Sequence, residues 1–335
     1  MTSRAAIVLA GGGAQRFQIQ NRQWQDKALA QIDGAPLIVH VISNLEGVVD
    51  ELVVCVNDDQ RKAQYNQVLE EHGFKGTRFV IDEKNHPIKG PLLAIISGLH
   101  AVSSEYYLTV PTDMPFLKPK VAEYLLDTVV GFDVAVPMWP DGTLETLIMA
   151  VKKENCIDIT ETLCDLNKSR ADAVPRGASK LLLISPLREI RTLDPELKSF
   201  ININSQEDLT KLETRKTEGT VKENITLTRG TRLCSHLRLL RSGQRTLNEG
   251  KISEAQNTFA ACAENFEAQN VFFWAGISAE KLAEVTLNQS ATNDISFLRA
   301  AKNYRAEAKT YQEKGCKLLA ERALAGKAFC ESKVV

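Results

Sequence analysis

Several features are missing from this sequence, and each absence excludes a class of protein. No uninterrupted apolar stretch approaches the roughly 18–20 residues of a membrane-spanning helix. The amino terminus shows no signal-peptide pattern, so a cytoplasmic location is expected. Seven cysteines (Cys55, Cys156, Cys164, Cys234, Cys262, Cys316 and Cys330) are scattered, and no Cys-x-x-Cys pair occurs. Zinc and disulfide frameworks are therefore not expected, and the thiols should be reduced. An excess of one charge is also absent. Lys and Arg number 41 against 42 Asp and Glu, which argues against a general nucleic-acid or anionic-membrane surface. Two phosphate-binding strings are lacking as well. No G-x-x-x-x-G-K-[ST] occurs, and the G-x-G-x-x-G that Gly11 and Gly13 begin is broken by Arg16.

What remains is an ordinary globular composition, 44% hydrophobic and 25% charged, over 335 residues, enough for two domains. The most informative stretch opens it. The apolar run Ala5 to Ala10 stops at Gly11-Gly12-Gly13, with Arg16 next and Asp26-Lys27-Ala28-Leu29 after a polar loop. The run reads as a fully buried strand. Glycines after it let backbone N–H groups approach a ligand with no Cβ in the way. With Arg16 and Lys27 nearby, the stretch outlines a triphosphate cradle; the alternative is a glycine turn beside two solvated cations.

Downstream, strands alternate with helices. Pro36 opens a helix, Glu51–Val56 is a strand, Asn57-Asp58-Asp59 turns into a helix through His72, and Thr77 to Ile81 is a third strand. The alternation predicts an α/β fold with a mostly parallel sheet, whose ligands sit at the carboxyl ends of the strands. Asn57, Asp82 and the glycines all fall at that edge. Gly90-Pro91-Leu92 starts a helix suited to an anion. The strand Tyr106–Val110 runs into Pro111-Thr112-Asp113-Met114-Pro115, which places Asp113 at the same edge. A hard cation such as Mg²⁺ is typically held by one or two carboxylates plus substrate phosphates, and Asp113 suits that role; the alternative is a turn aspartate before a helix. Phe132–Pro137 and Glu145–Val151 read as further strands, with Trp139-Pro140-Asp141-Gly142 as the turn. Ile157–Asn167 reads as a helix. A strand ending at Asn202 precedes a helix start in which Ser205 and Asp208 have capping-box spacing.

Leu9-Ala10-Gly11-Gly12, Arg16 and Asp26-Lys27-Ala28-Leu29 resemble the signature of nucleotidyltransferases of the molybdenum cofactor guanylyltransferase type. Asp113-Met114-Pro115-Phe116-Leu117 is similar to the metal-binding motif of that family, and Asn202-Ile203-Asn204-Ser205-Gln206-Glu207-Asp208-Leu209 to its closing motif, with Gln206 in place of proline. The resemblance covers residues 4–212 and departs at Gln18 to Gln25, which lengthen the loop between arginine and lysine. It implies a Rossmann-like (glycosyltransferase-A-like) three-layer fold and Mg²⁺-dependent transfer of a nucleotide, GMP from GTP first, to a phosphorylated acceptor such as molybdopterin, with pyrophosphate released. Arg16, Lys27 and Asp113 would be catalytic, Asp113 also holding the metal. Leu9, Ala10, Gly11, Gly12, Gly13, Lys27, Asn57 and Asp82 would bind nucleotide, and Asn202 and Asn204 would face the acceptor. For Asn57 a helix cap is the competing reading; for Asp82, a solvated turn; for Asn202 and Asn204, turn formation. Trp139, Asp141 and Glu145 fall where the acceptor half-site lies in related enzymes. Arg170, Arg176 and Lys180 lie on a segment that could turn toward an acceptor phosphate, or be solvated charge. A cytidylyltransferase, a cobinamide-phosphate guanylyltransferase and a non-catalytic nucleotide-binding scaffold are the alternatives.

From Thr214 to Gly230 the chain turns polar and reads as a linker. Residues 231–335 contain no proline and have helical spacing throughout. Two antiparallel helices are expected around Gly250, then one over Val271–Val285 and one over Ile295–Leu324. Gly250 with Ala255 weakly resembles a tetratricopeptide hairpin, without a clean second copy at 34-residue spacing. Phe272-Phe273-Trp274 reads as core. Oligomerisation or protein docking is the expected role of this tail.

Overall fold

The computed structural model of the protein describes residues 2–12, 17, 26–83, 86–212, 214, 223–230, 233–287 and 294–334. Gly13 and Arg16 lie outside these residues. The strands are β1 (Arg4–Leu9), β2 (Gln31–Ile32), β3 (Ala35–Pro36), β4 (Glu51–Val56), β5 (Arg78–Ile81), β6 (Tyr106–Pro111), β7 (Val134–Pro137), β8 (Ala150–Lys152), β9 (Lys180–Ile184) and β10 (Ile225–Thr228). β2 and β3 form a small ribbon. The other eight make one sheet in the order β10-β9-β7-β8-β6-β1-β4-β5. β1 is parallel to both β4 and β6, β4 to β5 and β7 to β9; only β8 and β10 run against their neighbours. β1 and β6 are apolar without alternation because both faces of the sheet are covered.

On one face Ala6, Val8, Val54 and Leu108 meet α1 (Leu37–Leu45), α2 (Asp59–Glu71) and α4 (Pro119–Thr128). On the other, Ile7, Val53, Tyr107 and Val134 meet α3 (Pro91–Ala101), α5 (Lys153–Asp165) and α6 (Ala173–Gly177). A single turn, α7 (Arg191–Leu193), follows β9. Among the described residues the tail is five helices, each packed on the next: α8 (Leu233–Asn248), α9 (Ile252–Ala268), α10 (Phe272–Leu287), α11 (Asp294–Glu313) and α12 (Lys317–Glu331). It forms an added layer outside α5 and α6 and shares their hydrophobic core.

Several sequence expectations are corrected here. Of Glu145–Val151 only the end is ladder-paired strand. Ile148 N–H turns back onto the Glu145 carbonyl (3.0 Å) and the Thr109 hydroxyl donates to the Leu147 carbonyl (3.0 Å), so backbone pairing with β6 begins only at Met149, whose carbonyl accepts the Thr109 N–H (2.9 Å). No strand ends at Asn202, because Lys198–Phe200 is a 3₁₀ turn. The stretch read as linker contains β10, whose alternating Ile225 and Leu227 close the edge of the sheet against β9. The expected single helix Ile295–Leu324 is two, broken where Gly315 adopts φ +68°. Within the tail the same close approach recurs. A Cβ on Gly243 would stand 3.1 Å from the Phe259 ring, and one on Gly276 2.6 Å from the Tyr304 ring. The two glycines are 33 residues apart, one short of the tetratricopeptide period.

The tail is welded to the sheet domain. Trp274 is fully buried and donates from Nε1 to the Gly177 carbonyl (2.9 Å). Arg176 forms a forked pair with Glu307 of α11, both bonds 2.8 Å, and lies over the Phe273 ring. Arg238 and Arg241 of α8 reach Asp158 and Asp165 of α5 (3.1 and 2.9 Å). Arg176 therefore serves packing, not an acceptor phosphate. Burial opposes its charge, and the Glu307 carboxylate outweighs that and holds the guanidinium firmly protonated. Removing one partner of a buried pair strands the other charge at a cost of about 3–5 kcal/mol. Glu307→Ala should lower unfolding stability by about that amount in urea titration, and Glu307→Gln by less.

Candidate functional site

Because β1, β4, β5 and β6 are parallel, their carboxyl ends deliver Gly11, Asn57, Asp82 and Asp113 to one edge. With Leu9, Ala10, Gly12 and Lys27 these residues line a single cleft of about 370 Å³.

Lys27 arrives on a 3₁₀ turn, Lys27–Leu29, capped by Asp26, whose Oδ1 accepts the Ala28 N–H (3.0 Å). The Tyr65 hydroxyl donates to Asp26 Oδ2 (2.8 Å), and Arg61 Nε stands 3.4 Å from the same oxygen. So α2, through Tyr65 and Arg61, sets where Lys27 points. Its ammonium meets Asp113 Oδ2 at 2.6 Å, with both side chains 17% exposed. Asn202 donates from Nδ2 to Asp113 Oδ1 (2.8 Å), and Asn204 Oδ1 lies 3.4 Å from Lys27 Nζ. Residues 201–204 are extended, so alternate side chains face opposite ways. Ile201 and Ile203 enter a small core with Phe17 and Leu37, while Asn202 and Asn204 turn to the site. The Ile203 N–H on the Asp113 carbonyl (2.9 Å) pins the segment. The two asparagines therefore touch the Lys27–Asp113 pair directly.

Asn57 is not the helix cap. Asp58 takes that role, accepting the Arg61 N–H at 2.8 Å, and the Asn57 amide instead donates to the Gly11 carbonyl. This contact requires glycine, since a Cβ on Gly11 would overlap Asn57 Oδ1. Gly90, at the start of α3, sits at φ +104° and borders the cleft. Trp139 and Glu145 hydrogen-bond each other at the root of the β7–β8 turn. Arg170 pairs with Asp172 (2.9 Å), and Lys180 begins β9 at an exposed position. Neither these four nor Asp141 lines the cleft, though Leu147, just beyond Glu145, does.

Residues 6–180 match the sequence model of the MobA-like NTP transferase domain. The chain belongs to the MobA-like NTP transferase family. It is 33% identical over 208 residues to a protein of Methanosarcina acetivorans described as a probable molybdenum cofactor guanylyltransferase, covering 62% of this chain and 88% of that one. It is 30% identical over 214 residues to the molybdenum cofactor guanylyltransferase of Desulfosudis oleivorans (64% and 96% covered). The fold is similar to the crystal structure of molybdopterin-guanine dinucleotide biosynthesis protein A from Archaeoglobus fulgidus, with a TM-score of 0.50 at 22% identity over 62% of this chain and 95% of that one. The chain is thus a nucleotidyltransferase with a helical extension.

Sequence reasoning did not single out Tyr65, Arg61 or Lys89 of this transferase. Tyr65 and Lys89 line the cleft. The signal for Tyr65 was slight, an aromatic residue with Leu69 one turn on in an otherwise polar helix. Burial shapes two carboxylates. Burial raises Asp82 above the ordinary value of 3.8, the Ser97 hydroxyl and His86 pulling the other way, and its Oδ1 has no hydrogen-bond partner among the described residues. Burial would also raise Asp208, but the N–H groups of Asn204 and Ser205, the Ser205 hydroxyl and Lys27 outweigh it and lower the carboxyl.

Two predictions follow from this geometry. Gly11→Ala should displace Asn57 and weaken nucleotide binding about tenfold, or about 1.4 kcal/mol, in calorimetric titration, with little change in melting temperature. For Asp82, the folded protein binds its proton more tightly than the unfolded chain, so stability is lost as pH rises from the ordinary aspartate value through the raised one. Asp82→Asn should therefore melt higher than wild type at pH 7 without ligand, with the difference vanishing in acid; a lower melting temperature at pH 7 would contradict this.

Proposed function

We propose that this transferase moves GMP from GTP to the phosphate of a molybdopterin-type acceptor and releases pyrophosphate, with Mg²⁺ required. The observation that carries the reading is the Lys27–Asp113 pair at the head of a glycine-walled cleft. It is supported by the names of the relatives at 33% and 30% identity. An oxygen of the acceptor phosphate attacks the α-phosphorus, and the bond to the β-phosphate breaks, its electron pair leaving with pyrophosphate. Such chemistry needs positioning and charge neutralisation more than covalent catalysis. Gly11 and Gly12 leave backbone free to approach phosphates. Lys27, with Arg16, would offset charge on the departing pyrophosphate.

The unpartnered Asp82 oxygen favours guanine. Guanine offers adjacent N1–H and N2–H donors to a carboxylate, whereas cytosine and adenine set a ring acceptor beside their amino group. Asn57, Leu9 and Ala10 would flank base and ribose, and Asn202 and Asn204 would lie on the acceptor side. The metal is tested by its donor set. Among the described residues no cluster of three His, Cys, Asp or Glu could hold an ion, but Mg²⁺ needs only one or two carboxylates when phosphates and water complete its shell. Asp113 fits that requirement, and the ion, when bound there, would supply positive charge to the phosphate oxygens.

Lys27→Ala and Asp113→Asn should each lower turnover on the order of 10²–10³-fold with the fold retained by circular dichroism. Thermal stabilisation by GTP, CTP, ATP and UTP with Mg²⁺ reports selective binding directly. A shift with GTP alone, lost in Asp113→Asn, is expected. A CTP preference would move the assignment to a cytidylyltransferase, and no shift with any nucleotide would overturn it.

A further inference from the structure

One stripe of α12 lies along the same edge of the molecule as the cleft. Leu318 N–H donates to the carbonyl of Gly142, in the β7–β8 turn (3.0 Å). One turn on, Arg322 Nε meets Asp172 Oδ2 (2.8 Å), whose other oxygen holds Arg170 (2.9 Å). Gly326 and Phe329 then line a crevice against loop residues 167–170. These α12 positions are spaced four, four and three residues apart, a single helix face.

Both elements that this stripe touches lead to the cleft. The β7–β8 connection reaches it through Leu147. On the loop, the Ser169 carbonyl oxygen lies 4.0 Å from where a Cβ on Gly90 would stand, and Gly90 is a wall of the cleft. The seat on the turn is tight. Gly142 adopts φ +79°, and a Cβ there would overlap the Gly315 carbonyl oxygen and the Lys317 nitrogen. Asp172 is 5% exposed; its Oδ1 accepts a hydrogen bond from Arg170 Nε, while Arg322 faces Oδ2 as an ion pair outside hydrogen-bond geometry, so the loop is held on that side by charge attraction shielded from solvent.

We propose that α12 is a brace for the acceptor end of the cleft, with Arg322 as its positioning residue. It holds the 167–172 loop and the β7–β8 turn, which leaves the sheet on the far side of β6 from β1, β4 and β5, so the acceptor is assigned to the braced side and the nucleotide to the other. The acceptor part of this inference rests on the function proposed above; the bracing part does not. The tail would then be a specificity element of the transferase domain, which explains why it is bonded at so many points to α5, α6 and the loops beside them.

The test uses the full chain and compares Arg322→Ala, Arg322→Lys and Gly142→Ala with wild type. Hydrogen exchange is measured over 139–144 and 167–173, nucleotide affinity by calorimetry, and the acceptor KM in steady state. Arg322→Ala is expected to exchange at least tenfold faster over 167–173 and to raise the acceptor KM about tenfold, with nucleotide affinity within twofold of wild type. Arg322→Lys should restore most of the loss, and Gly142→Ala should loosen 139–144 in the same selective way. Unchanged exchange in both segments would overturn the brace. So would a parallel loss of acceptor KM, nucleotide affinity and melting temperature, which marks general destabilisation. If wild-type protein binds nucleotide but transfers it to no phosphorylated acceptor, the proposed reaction fails, while the exchange data still decide whether α12 braces the two segments.

Discussion

The site depends on one ion pair between residues 86 positions apart, Lys27 and Asp113. Asp113 stands there because β6 ends at Pro111 beside β1, in parallel register, so that both strands release their chains at the same edge. Lys27 stands there because Asp26 caps its turn and α2 holds Asp26 through Tyr65 and Arg61. Two like-minded supports complete the constellation from far along the chain, Asn202 on the aspartate and Asn204 near the lysine. A largely dehydrated pair of opposite charges is costly to form unless its surroundings are fixed in advance. The buried sheet, the capped turn and the Ile201–Ile203 anchor supply that fixity.

The same economy of polar groups explains the carboxylates around it. Asp58 absorbs the duty of capping α2, which leaves the Asn57 amide to hold the Gly11 carbonyl. Asp208 is saturated with N–H donors and stays ionised, so it organises the turn that carries Asn204. Asp82 is the opposite case: buried, raised and with one oxygen unpartnered among the described residues. A buried acceptor left without a donor weakens a folded protein, and sites that bind ligands are where such groups cluster. The fold carries that cost at a wall of the cleft.

The helical extension belongs to the same rigid body in energetic terms. Trp274 fills the space that Gly177 leaves, and Arg176 is neutralised by Glu307 across the junction. Neither contact could survive separation of the two parts, since each would expose a large aromatic surface or strand a buried charge. The contact of α12 with Gly142 and Asp172 carries this junction from the back of the sheet to the edge where the cleft opens.

Much of this was legible in the residues alone, because local rules act within a few positions. Buried runs without alternation announced a parallel sheet, Pro36, the Asn57-Asp58-Asp59 turn and Gly90-Pro91 marked the starts of α1, α2 and α3, and glycines after β1 marked a close backbone approach. The signature from Leu9 to Leu29 and the Asp113 motif marked the family, and the family comparisons agree. Contacts between distant segments were not legible, because no local pattern encodes which side chain finds which partner. Arg176 reads as a cation available to a phosphate until Glu307 is seen beside it; Asn57 and Asp58 compete for one cap until the backbone selects the latter. The strand expected over Glu145–Val151 gave way to a hydroxyl bond from Thr109 on the neighbouring strand. Sequence by itself determined the element types and the chemistry available at the sheet edge, since both follow from short-range sterics and residue type. Only the tertiary structure decided which charges are consumed in packing and which face the cleft, because that depends on long-range burial and on the one partner each buried polar group must find.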